Sequence, residues 1–145
     1  MIHYLIKYGF SSILILIITI LSIVNFNSLD ITPPVQWFDK VVHLLMYASL
    51  SFVLLFDLTK NIFLSDHLIK PSITKKYIYI SLFISIFIGG ILELIQEYFV
   101  DGRSGDWNDM ISNITGSITG LIIGNFFIPP ILKIITNVLL TKKEK

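Results

Sequence analysis

The side chains able to do chemistry fall into three short blocks. Asp39, Lys40 and His43 make the first, with Asp39 and His43 four apart and so on one helix face. Glu93, Gln96 and Glu97 make the second, at i, i+3, i+4 spacing, again one face of a helix. The third is the run Asp101-Gly102-Arg103-Ser104-Gly105-Asp106-Trp107-Asn108-Asp109, with Asn113 one turn beyond Asp109. These residue types supply carboxylates for a cation, a histidine for proton exchange, and an arginine and a lysine for an anion. The chain has no cysteine, which excludes disulfides, thiolate nucleophiles and Cys-based metal sites.

Such residues need elements to hold them, and the rest of the chain says what those are. It is 54% hydrophobic, only 14% charged, and has a mean hydropathy of +0.78. Soluble domains carry about 25% charged residues, and a small soluble domain cannot hide this much apolar surface. Lipid is the solvent that fits. The net charge of +1 and the lack of a basic, aromatic-interleaved stretch exclude nucleic acid as a partner.

Charged residues divide the chain into apolar intervals at 8–29, 41–56, 77–92 and 110–132. About 20 helical residues cross roughly 30 Å of hydrocarbon. The first and last intervals are long enough, and the middle two must borrow their polar ends. The reading is an all-α polytopic membrane protein of one domain, 1–145, with transmembrane helices at about 8–26, 39–58, 76–99 and 109–128. Pro129-Pro130 is expected to end the fourth span, leaving a short interfacial helix over 131–140. Nothing alternates with the period of a barrel strand. No small-x-small cleavage site follows Val24, so the first segment reads as a span and not as a signal peptide.

Lysine and arginine set the orientation. Lys7, Lys60, Lys70, Lys75, Lys76, Lys133, Lys142, Lys143 and Lys145 fall on one side; only Lys40 and Arg103 fall on the other. Both termini are therefore expected in the cytoplasm, and all three chemical blocks at the outer face. Glu93 lies about 9 Å below the end of its helix at 1.5 Å per residue. A carboxylate at that depth should face the bundle and needs a cation or a proton. Trp37 and Trp107 read as interfacial anchors, with Tyr77, Tyr79 and Tyr98 in the same belt. Gly116, Gly120 and Gly124 repeat every four residues, a small-xxx-small face for close helix packing, with Gly89 and Gly90 serving likewise on the third span.

At these residues the sequence resembles the VanZ-like family of bacterial membrane proteins. Asp39-Lys40 with His43 carries one half of the likeness. Glu93, Gln96, Gly102-Arg103, Asp109, Asn113 and Gly116 carry the other, in the order of the family's Glu-x-x-Gln, Gly-Arg, Asp and Asn-x-x-Gly series. The likeness runs from about Asp39 to Gly124. Asp101 departs from it, standing where the family often has proline. The resemblance implies four membrane helices in the bacterial cytoplasmic membrane and a general cell-envelope role. The founding member is associated with glycopeptide-antibiotic (teicoplanin) resistance.

Four accounts of the polar blocks remain open. His43, Glu93, Gln96, Arg103, Asp109 and Asn113 could form a purely structural interhelical network. Lys40, His43, Glu93, Gln96, Arg103, Asp109 and Asn113 could form an outward-facing pocket for the anionic headgroup of a phosphorylated envelope lipid, with Arg103 forking two phosphate oxygens. His43, Glu93 and Asp109 could be the catalytic set of an enzyme using a divalent cation, although no spacing specifies a known metal site and no serine sits in a nucleophile elbow. A proton- or ion-coupled transporter is the fourth, weakened because the inner halves of the helices show no polar trail. No cofactor is named beyond that divalent cation, and membrane lipids are the expected partners.

Overall fold

In a computed structural model the chain is all-helical over the residues described: 2–24, 37–65, 73–100 and 106–143, with side chains described over 8–24, 37–60, 73–100 and 106–138. The four helices are α1 (Ile2–Ile23), α2 (Phe38–Ser65), α3 (Lys75–Phe99) and α4 (Trp107–Lys143). Three stretches among the described residues are long and apolar enough to cross a membrane: Phe38–Lys60, Lys75–Phe99 and Trp107–Val138. Tyr8–Ile23 of α1 is apolar but shorter. Helix satisfies every backbone group within its own segment, which an apolar solvent demands.

Solvent preference is also written in what faces out. Phe10, Leu16, Phe83, Phe87, Ile122 and Phe126 are all exposed, while Ser51, Ser81, Ser85, Ser117 and Asn113 are fully buried. A water-soluble domain shows the reverse. α2 touches each of the other three helices, α3 does the same, and α1 and α4 do not meet among the described residues. Ile18, Tyr47, Leu50, Leu54 and Leu92 join α1, α2 and α3. Leu55, Leu121, Ile128 and Leu132 join α2 and α4.

α2 and α4 approach closely because α4 presents glycines. A Cβ on Gly116 would overlap the Leu44 carbonyl, and one on Gly120 would overlap the Ala48 carbonyl and the Ser51 hydroxyl. Gly124 is less demanding, since its Cβ would meet side chains and not backbone: Leu55 and Ile128 at 3.1 Å and Phe52 at 3.5 Å. Between these glycines the contact is polar. Ser51 Oγ donates to the Ser117 carbonyl at 2.8 Å, Ser117 Oγ donates to the Asn113 carbonyl at 2.8 Å, and Ser85 Oγ lies 2.7 Å from Ser117 Oγ.

The expected break at Pro129-Pro130 is absent. α4 runs as one helix through both prolines to Lys143, so 131–140 is not a separate helix. The prolines leave the carbonyls of Asn125 and Phe126, on the exposed side of α4, without their intrahelical donors. On the opposite side Ile128 and Leu132 are buried against Leu55 and Leu121, and Thr136 Oγ1 donates to the Leu132 carbonyl at 3.0 Å. Packing that spans the prolines holds the helix together.

α1 is the reverse case: a break no proline signals. Tyr8 has non-helical angles (φ −125°, ψ 22°), so the helix restarts at Gly9. Restarting leaves N–H groups without partners. Asp57 of α2 takes one of them, accepting from Ser11 N at 2.9 Å and from Ser11 Oγ at 2.5 Å. Asp57 is wholly buried, and Lys60 Nζ donates to its other oxygen at 2.6 Å. Lys60 also lies over the Phe10 ring, 4.6 Å from its centroid.

Candidate functional site

The polar blocks meet where α2 and α4 begin and α3 ends. Asp106 starts α4: its carbonyl accepts from Asp109 N and Met110 N, and its Oδ1 accepts from Asn108 N at 2.9 Å. That is an N-cap, favoured because a carboxylate satisfies a free N–H and complements the helix dipole. Its second oxygen, Oδ2, accepts from Lys40 Nζ at 2.7 Å. The Lys40 ammonium holds the Asp106 carboxyl below its ordinary value of 3.8.

Lys40 is shared among three carboxylates. Besides Asp106, its Nζ lies 3.0 Å from Asp109 Oδ1 and 3.9 Å from Asp39 Oδ2. Asp109, set one turn into α4, is nearly buried. The ammonium therefore ties the first turn of α2 to the first turn of α4.

A second set lies deeper. His43 Nδ1 is 3.0 Å from Asn113 Oδ1 and 3.5 Å from Glu93 Oε1. Asn113 Nδ2 donates to Glu93 Oε1 at 3.0 Å. The Asn113 amide thus places its oxygen toward the imidazole and its nitrogen toward Glu93, with Nδ1 the ring nitrogen that meets it. The other ring nitrogen, Nε2, is 3.8 Å from Asp39 Oδ1. Tyr47 stacks on the ring with centroids 6.5 Å apart, and Gly89 leaves room for Tyr47 and Asn113, either of which a Cβ would crowd. Glu93 Oε2 is buried without a hydrogen-bond partner.

Compared with protein-family models, curated proteins and solved structures, the chain matches none.

Lys40, His43, Glu93, Asp109 and Asn113 thus come together from three helices. Gln96 does not join them. It faces α1, where Nε2 donates to the Ser22 carbonyl at 3.0 Å, because three residues along a helix turn it away from Glu93. Glu97 is exposed. Arg103 lies outside the described residues, as do Asp101 and Gly102. Trp37 and Trp107 are exposed at this same end.

Sequence spacing favours Asp109 over Asp106, although an aspartate directly before a helix is the ordinary N-cap signal. Asp57 and Lys60 read from sequence as charges that bound a span and set its orientation, yet their i, i+3 spacing on an apolar helix signals a buried pair. Nor do polar residues stop near one end, because Ser51, Ser81, Ser85 and Ser117 continue inward and Asp57 is buried beyond them. Serines escaped notice because they barely lower the hydropathy of a span.

Proposed function

We propose that this is a four-span protein of the bacterial cytoplasmic membrane, VanZ-like, with both termini inside. Its outward-facing pocket binds the headgroup of a phosphorylated envelope lipid. Support for the family comes from the ordered residues Asp39-Lys40, His43, Glu93, Gln96, Gly102-Arg103, Asp109, Asn113 and Gly116. Support for the sidedness comes from the lysine and arginine bias. Tyr8–Ile23 makes the fourth span by tilting little in a locally thin bilayer.

One observation carries the headgroup reading. Lys40 uses its ammonium on Asp106 and Asp109, at 2.7 and 3.0 Å, and its side chain is 23% exposed. An ammonium has three hydrogens, and Asp39 Oδ2, at 3.9 Å, is too far to accept the third, which remains for a ligand arriving at the rim. Arg103, in the connection between α3 and α4, adds the second positive charge in this reading. The role that follows is in the cell envelope, with glycopeptide response as its extension by family likeness.

Native mass spectrometry of the detergent-released protein tests it. A phosphorylated lipid should co-purify with wild type and be lost in Lys40→Gln and in Arg103→Ala. Retention of the lipid in both variants rejects the reading.

A purely structural network is the second reading, favoured by Asn113, which is fully buried with both ends of its amide used. It predicts that variants at Lys40 lower stability and leave lipid content unchanged.

A further inference from the structure

We propose that Asp39, His43 and Asp109 bind a divalent first-row cation, Mn²⁺ or Zn²⁺ by ligand chemistry. This deepens the headgroup reading by supplying the charge through which a phosphate is held. One ligand atom from each residue lies within 4.8 Å of the other two. Two carboxylate oxygens with one imidazole nitrogen suit such ions better than Ca²⁺ or Mg²⁺, which prefer oxygen alone.

The histidine sets this cluster apart from an ordinary acidic patch. His43 is 3% exposed. In the tautomer whose Nδ1–H donates to Asn113 Oδ1, Nε2 is the ring nitrogen left for a metal, 3.8 Å from Asp39 Oδ1. The nearest of their oxygens that pairs with it, Asp39 Oδ1, is at 3.8 Å, too far for a hydrogen bond. Asp109, 6% exposed, has its Oδ1 buried beside the Lys40 ammonium but without a hydrogen-bond partner, so the cluster holds a ligand oxygen that a cation would satisfy. The arrangement also matches how metal-binding histidines are held, the far ring nitrogen donating to a fixed acceptor.

Charge points the same way. Among the described residues this end carries Asp39, Glu93, Glu97, Asp106 and Asp109 against Lys40 alone, and Glu93 Oε2 is buried without a hydrogen-bond partner. A phosphate approaching that set is repelled unless a cation precedes it. Bonds of about 2.1 Å require the ligand atoms to draw in by about 1 Å. Asp39, whose side chain is 45% exposed at the rim, is the ligand that makes that movement. Lys40 is the competitor: its ammonium leaves Asp109 and keeps Asp106.

The test uses full-length protein in lipid-free detergent micelles, stripped with EDTA and titrated with MnCl₂ by calorimetry and electron paramagnetic resonance. One Mn²⁺ per chain is expected. Asp39→Asn, at a half-exposed rim position, should weaken binding by about tenfold or more, and Lys40→Gln should tighten it by removing the competing charge. Absence of stoichiometric binding overturns the proposal, and so does equal affinity in wild type and Asp39→Asn. Native mass spectrometry with EDTA or Mn²⁺ separates the two readings. Lipid retained in EDTA by a protein that binds no Mn²⁺ sinks the cation and leaves the headgroup. Mn²⁺ bound without lipid does the opposite.

Discussion

Asp57 of α2 accepts both the backbone N–H and the hydroxyl of Ser11 on α1, so one buried carboxylate restarts a helix it does not belong to. The charge is balanced by Lys60, three residues along, at 2.6 Å. Removing one partner of a buried pair typically costs about 3–5 kcal/mol, because the other is left charged in an apolar setting. Asp57→Leu should therefore lower stability steeply, as read by denaturant titration in mixed micelles. Asp57→Leu with Lys60→Met should recover much of that loss. A double variant no better than the single would show that Lys60 is not the compensating charge.

Gly120 stands where a methyl group would enter the Ala48 carbonyl. Gly120→Ala should force α2 and α4 apart and cost about 1–3 kcal/mol, the usual range for overpacking. Gly9 has nothing within 4 Å of the same position. Gly9→Ala should be neutral or stabilising by up to about 1 kcal/mol, since alanine loses less chain entropy. Thermal unfolding of the two variants side by side checks the contrast.

Asn113→Ala should cost more than its lost volume. It leaves the buried His43 Nδ1 without its Asn113 partner and strips Glu93 of a donor, and each stranded buried group costs about 1–3 kcal/mol. Gln96→Ala strands only the Ser22 carbonyl on α1. The loss of stability in Asn113→Ala should exceed that in Gln96→Ala, measured under the same detergent conditions.

Asp106 gives the acidic end a pH dependence with a definite sign. The Lys40 hydrogen bond, then the Asn108 backbone N–H, lowers its pKa from 3.8. A carboxyl lowered on folding contributes stability above its unfolded value, and that contribution is lost as pH falls through the folded one. The stability difference between wild type and Asp106→Asn should be constant above 3.8 and shrink below it. Because Asp106 is solvent-facing, added salt should also narrow the difference.

Much of this molecule can be read from its residues. Long apolar intervals set apart by charges predict α2, α3 and the start of α4, and the glycine repeat identifies the face of α4 that meets α2. The helical spacing of Asp39 with His43 and of Asp109 with Asn113, together with the depth of Glu93 in its span, predicts that they converge. Gln96 shows where the reasoning fails: i+3 places two residues on one broad face, while the bundle divides that face between α1 and the polar site. Proline chemistry misled in the same way, because local rules describe a helix alone.

Sequence by itself determined the solvent and the elements, since hydropathy and charge spacing act along the chain and need no partner helix. Tertiary structure decided which polar groups pair. Asp57 with Ser11, Lys40 with Asp106, and His43 with Asn113 are each joined across at least 46 residues of chain. Those choices depend on which helix faces meet and how closely, and packing decides that where local propensity cannot.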